Sequence, residues 1–223
     1  SAISMYIDGV AETVVVAGGS NNGDWFGDMT GGKLDDVSIG CKIDNGGAGS
    51  FFDGCIADVR YYSDVITATE VATLASKINA ETSTIDNLQH WWKLNSTTID
   101  ASNLGEDYGS ATDIDLTPTS IVAGNFDYDA YYVNVQDNTT TTDGTFTVTQ
   151  GKVEGKALTS LAFDGGTSHV DLASSFTMSH DGSTVAFWVK KDNATGNIDT
   201  ILGQASDANQ HWIQIKTNGE VVM

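Results

Sequence analysis

Seven short runs of β-branched and aromatic residues, at positions 3–8, 13–17, 37–43, 51–62, 161–172, 184–190 and 211–216, are each bounded by Gly, Asn, Asp or Ser. Branched and ring side chains pack well on a pleated surface, and the bounding residues accept turn geometry, so each run predicts a strand. Together they predict an all-β chain of antiparallel strands layered as a β-sandwich. In 184–190, Thr-Val-Ala-Phe-Trp-Val-Lys, apolar side chains fall on both faces, which predicts an inner strand. One helix interrupts the pattern: Thr67 and Glu70 form a capping box ahead of Val71, Leu74, Ala75 and Ile78, predicting a short helix near 67–78 across a sheet edge.

From 79 to 87 the chain turns polar, and a new apolar run begins at His90-Trp91-Trp92-Lys93-Leu94. This predicts a junction between two parts, 1–86 and 87–223. Residues 96–144 are rich in Asp, Asn, Thr and Gly and hold the only proline, Pro118; the Thr run at 139–142 reads as a surface loop. No internal repeat is visible. The chain opens directly before one strand-like run and stops inside another, so it reads as a section of a longer polypeptide.

Ten Lys and Arg against thirty Asp and Glu leave a net charge of −20, which repels nucleic-acid phosphates and anionic lipid. Of those acids 24 are Asp, a residue whose carboxylate bonds nearby amides in turns, so the charge reads as solvated loops. No apolar run approaches the roughly 20 residues of a membrane-spanning helix, and no membrane insertion is expected. The two cysteines, Cys41 and Cys55, are too few for a disulfide framework and lack zinc-site spacing. A hairpin through the Gly-rich stretch 45–50 would set them side by side, either as a disulfide or as two buried free thiols.

Phe51-Phe-Asp-Gly-Cys-Ile-Ala-Asp-Val-Arg-Tyr-Tyr62, followed by the capped helix, resembles the closing strand and helix of the laminin-G-like, concanavalin A-like family, and Met5-Tyr-Ile-Asp-Gly9 and Ser38-Ile-Gly40 resemble its preceding strands. His90 to Asn95 is similar to the family's opening strand, Leu161 to Gly165 with His169 to Leu172 to the next, and 184–190 to the inner strand after it. The resemblance implies an antiparallel jelly-roll sandwich. Because the closing half precedes the opening half, 1–86 is expected to be the end of one module and 87–223 the beginning of the next; the alternative is one permuted sandwich with 96–144 as an insertion. The family is at home in extracellular, cell-surface and virion-surface proteins, where such modules bind glycans or pack against sister subunits.

Glycan recognition needs an aromatic ring to stack on a sugar face and polar partners for its hydroxyls. Asn21-Asn22-Gly-Asp24-Trp25, flanked by glycines, has that composition, and Trp25 is the candidate stacking residue. Trp91, Trp92, Trp188 and Trp212 lie in strand patterns and are expected in or near the core. Related sandwiches hold calcium with loop carboxylates, which makes Asp113 and Asp115 the candidate ligands here, with Asp35/Asp36 and Asp127/Asp129 as further pairs. Glycoside hydrolases on this sandwich place paired Glu side chains on alternate positions of one strand; the nearest run here, 112–116, has two Asp and no Glu, so no catalysis is expected. His90, His169, His180 and His211 have no metal-ligand spacing and are expected at the surface or at strand edges. Asn95, Asn138 and Asn193 begin sequons of the kind that chance supplies in an Asn- and Thr-rich chain.

Overall fold

The computed structural model describes residues 3–13, 37–44, 47–76, 85–96, 99–100, 103–121, 126–134, 146–149, 152–172, 182–191, 199–206, 209–216 and 218–222. A hairpin comes first, β1 (Met5–Ile7) and β2 (Val10–Glu12), closed by Asp8 and Gly9 with φ of 51° and 77°. Two left-handed residues match the twist of the paired strands, which is why Asp-Gly stands there. Next come β3 (Ser38–Ile39), a second hairpin of β4 (Lys42–Asp44) and β5 (Gly47–Gly49), and the long β6 (Asp53–Tyr62). After helix α1 (Ala68–Leu74) follow β7 (Leu88–Trp92), β8 (Leu116–Thr119), β9 (Phe126–Asn134), β10 (Phe146–Thr149) and β11 (Lys152–Asp164). The chain continues through β12 (His169–Leu172), β13 (Thr184–Lys191), β14 (Asp199–Ser206), β15 (Asn209–Ile215) and β16 (Val221–Val222).

Every pairing among the described strands is antiparallel. One six-stranded sheet runs β10-β11-β6-β13, with β7 also on β6 and β9 also on β11; the other runs β16-β15-β14-β3-β12-β8. Strands on the two sides of residue 86 are therefore hydrogen-bonded together, β6 with β7, β11 and β13, and β3 with β12 and β14. One buried apolar cluster draws on both sheets: Ile56, Val59, Tyr61 and Trp92 from the first meet Ile39, Leu116, Val170 and Leu202 from the second. Fully burying each such side chain contributes about 1.5–3 kcal/mol, so this layered packing outweighs any single turn or cap.

The helix begins as the sequence predicts. Thr67 Oγ1 accepts from the Glu70 amide at 3.3 Å, while the Glu70 carboxylate accepts from the Thr67 amide at 2.6 Å. It ends at Leu74, short of Ile78, which lies outside the described residues. It does not straddle a sheet edge: Val71 and Leu74 pack into a second cluster with Tyr62, Leu88 and Ala186, from three adjacent strands, so the helix covers an outer face. Strand β13 also departs from expectation. Among the described strands it pairs only with β6, and all of its residues but Lys190, which is exposed, are half-buried.

The organising irregularity is a bulge in β6. Opposite the step from Ala186 to Trp188 on β13, β6 advances from Arg60 back to Ala57, one residue more. Asp58 sits in that surplus with φ 56°, a left-handed backbone that costs a non-glycine residue on the order of 1–3 kcal/mol. It is only 3% exposed, yet its Oδ1 accepts from Arg60 Nε and Trp91 Nε1, each at 2.7 Å, and Arg60 lies over the Trp91 ring at 4.1 Å. Removing one member of a buried ion pair strands the other charge. Asp58→Ala is therefore expected to lower the unfolding free energy by about 3–5 kcal/mol in urea titrations, and a loss under about 1 kcal/mol would contradict this account. Tyr62 supplies the opposite case: its hydroxyl is buried with no hydrogen-bond partner among the described residues. Tyr62→Phe is expected to gain roughly 1 kcal/mol by the same titration, whereas a loss would mean that the hydroxyl has a partner.

Candidate functional site

Beyond β7 the chain folds back as residues 103–116 and presses against β7 and β8. Gly105 and Gly109 permit this approach, since a Cβ on either would collide with the carbonyls of Leu116 and Gln89 respectively. Asp107, between them, pins the loop. Its Oδ1 accepts from the amides of Trp91 and Gly109, both at 2.8 Å, and its Oδ2 from His90 Nδ1 at 2.6 Å and the Ile114 amide at 3.3 Å. Burial pushes this carboxyl up, but His90 and the amides of Trp91 and Gly109 outweigh it and hold it below its ordinary value. The His90 ring is stacked on Trp92, 5.4 Å between centroids and 6° between planes, with Tyr61 at 6.1 Å.

On the outer side of this loop the pinned backbone presents Tyr108. Its amide donates to Trp91 O at 2.8 Å and its ring meets the Trp91 ring edgewise at 6.0 Å. The Lys93 ammonium lies 3.9 Å from the Tyr108 centroid and 4.3 Å from that of Trp91. Glu106, near the Tyr108 hydroxyl, raises its pKa above the ordinary phenol value. Even so, 42% of Tyr108 is exposed.

A second polar group sits where β11 hands over to β12. Asp164 Oδ1 accepts from the amides of Gly166, Thr167 and Ser168 at 2.8–2.9 Å and from Ser168 Oγ at 2.7 Å. Burial works against the charge, but the Ser168 amide and hydroxyl and the Thr167 and Gly166 amides hold the carboxyl well below the usual range. The turn delivers His169, 7% exposed, with Nδ1 2.8 Å from Thr167 O and Nε2 3.2 Å from Asp171 Oδ2. Each nitrogen faces an acceptor, so the ring is best satisfied as imidazolium; the Asp171 hydrogen bond raises its pKa against the opposing effect of burial.

Asn21, Asn22, Asp24 and Trp25 lie outside the described residues, as do Asp35, Asp36 and His180. Asp113 is exposed, while Asp115 is half-buried and its Oδ1 accepts from the Asp107 amide at 3.2 Å. Among the described residues no three His, Cys, Asp or Glu side chains group as a metal-binding set. Cys41 and Cys55 are both buried, and no disulfide joins them. The hairpin between them forms as β4 with β5, which leaves Cys55 beyond it in β6, bonded to β11 and β13. Burial pushes the Cys41 thiol up to about 12, and its Sγ donates to Ser38 Oγ at 3.4 Å. His90 and His169 are not surface residues: each is buried against an aspartate. Trp91 and Trp92 are in the core region, and Trp188 and Trp212 are half-buried. The Asp107 pin and the Tyr108 cluster escaped the sequence reading; their one signal is the pair of glycines that brackets them.

No family model matches the chain, and no curated protein or solved structure matches it. Among the described residues no helix is long and apolar enough to cross a membrane.

The His169 geometry fixes a pH dependence. Because the folded-state pKa is raised, the contribution is complete below the unfolded value near pH 6.5 and is lost as pH climbs through the folded value. The melting temperature is expected to fall as pH rises above about 6.5, with a shallower fall in His169→Gln; superimposable profiles in a pH-resolved melting series would refute the imidazolium assignment.

Proposed function

We propose that this chain is a non-catalytic recognition module, built on a jelly-roll sandwich of the laminin-G-like, concanavalin A-like kind, in an extracellular, cell-surface or virion-surface protein that binds glycans. The pairing of β6 with β7, β11 and β13 supports treating 1–86 and 87–223 as one permuted unit in preference to two modules. One observation carries the functional reading: among the described residues the aspartates best placed for chemistry are spent on partners within the fold, Asp58 and Asp107 buried and Asp164 exposed in its own turn. Asp58, Asp107 and Asp164 are each held by backbone amides or neighbouring side chains of the same fold. A cavity of about 10 Å³ between the sheets, lined by Val37, Val59, Tyr61, Trp92, Val185 and Leu202, holds one water molecule at most. Contact with a partner then falls to loops and exposed rings, which is how sandwich modules recognise sugars. A net charge of −20 disfavours nucleic acid and anionic membranes as that partner.

A second reading, a structural assembly domain packing against sister subunits, draws on the half-exposed strand β13 and on Val10 and Val65, each 63% exposed. Glycan-array binding together with light scattering separates the two. The recognition reading expects retention on at least one surface polysaccharide, weakened about tenfold by Trp25→Ala with an unchanged melting temperature. Retention by none, with concentration-dependent self-association, would replace it with the assembly reading.

A further inference from the structure

We infer that Tyr108, with Lys93 and Glu106 beside it, forms a stacking platform for a neutral pyranose. This rests on the recognition reading above and adds to it a contact distinct from Trp25 and a ligand class. The exposed large apolar side chains among the described residues are Ile7, Val10, Val65 and Tyr108, and Tyr108 alone carries a ring. Sugars meet proteins through an aromatic face laid against C–H bonds, with charged or amide groups taking the hydroxyls at its rim. Both components are present. The ring is 42% exposed; the Lys93 ammonium lies over one face, 3.9 Å from its centroid, so a sugar would take the opposite face, and Glu106 is near enough to the hydroxyl to raise its pKa.

The arrangement is also rigid before any ligand arrives. The Tyr108 backbone is tied to Trp91 O, the residue before it anchors the loop through Asp107, and the residue after it is Gly109, packed against Gln89. Ordering a ring costs affinity when binding must do it, and here the fold has already done so. Charge decides the ligand class. Anionic saccharides would approach a chain of net charge −20, with Glu106 at the platform itself, so an uncharged ring is favoured.

The test is binding of the whole chain to maltotriose, cellotriose, mannotriose and lactose, with sialyllactose as the anionic control, by isothermal calorimetry and by chemical-shift mapping of the Tyr108 ring. The expected result is binding to at least one neutral probe, with Tyr108 ring shifts. Affinity should drop at least about tenfold in Tyr108→Ala and stay within about threefold in Tyr108→Phe, which keeps the ring. Ring shifts in the unmodified chain decide the matter even if Tyr108→Ala is unstable. Binding that Trp25→Ala abolishes while Tyr108→Ala and the Tyr108 resonances are indifferent would overturn this platform and leave the recognition reading standing. Preference for sialyllactose would overturn the neutral class, and no binding to any probe, on the array or in solution, would overturn both.

Discussion

The molecule depends on how β6 copes with having three partners. One edge carries β13 along most of its length; the other is divided between β11, opposite Asp53 to Ile56, and β7, opposite Val59 to Tyr62. The handover requires an extra residue, and the extra residue is Asp58. Its left-handed backbone and buried charge would each be unfavourable alone. Together with Arg60 and the Trp91 indole they become a fixed knot that sets the register of β7 against β6, and β7 in turn sets everything that leans on it. A hydrophobic replacement of the whole knot could match its stability, but not its choice of a single register.

Much of this architecture was legible in the residues, for a physical reason. Where strand-forming side chains are dense, as in β6 and β13, burial energy and local preference agree, and the Thr67 and Glu70 cap is local by construction. What was not legible is non-local. In strands β9 and β14 the strand-forming residues are diluted by Asp, Asn, Ala, Gly and Gln, so their strand state is decided by the neighbour they pair with, β11 and β15 respectively. The burial of His90 depends on a carboxylate 17 positions away that reaches it only because two glycines let a loop lie flat. Strand β13 was expected to be interior because both its faces are apolar; in the described sheet those faces are half-buried and its second edge has no described partner.

The acidity of the chain takes on a different meaning once the carboxylates are located. A reading of solvated charge fits Asp113, but not the buried Asp58 and Asp107, nor Asp164, which is exposed yet committed to the amides of its own turn. Asp107 and Asp164 replace the hydrogen bonds that backbone amides would otherwise seek from water in irregular segments. Asp is shorter than Glu and reaches amides two or three residues away without a long flexible stem, which accounts for 24 Asp against 6 Glu better than solubility does. The carboxylates act largely as loop architecture.

That distinction bears on what kind of activity such a fold supports. A catalytic carboxylate must change its protonation or its partner during a cycle, and a group held by three or four donors resists both. A recognition surface asks the reverse: a side chain whose position does not change when the partner arrives. The chain of restraint that runs from Asp58 through Trp91 to Asp107 and ends at Tyr108 meets that demand, because each member is fixed by the one before it and only the last is open to solvent. Rigidity established in the interior of the first sheet is thereby exported to an exposed ring, which is the physical requirement for binding a small, weakly interacting ligand selectively.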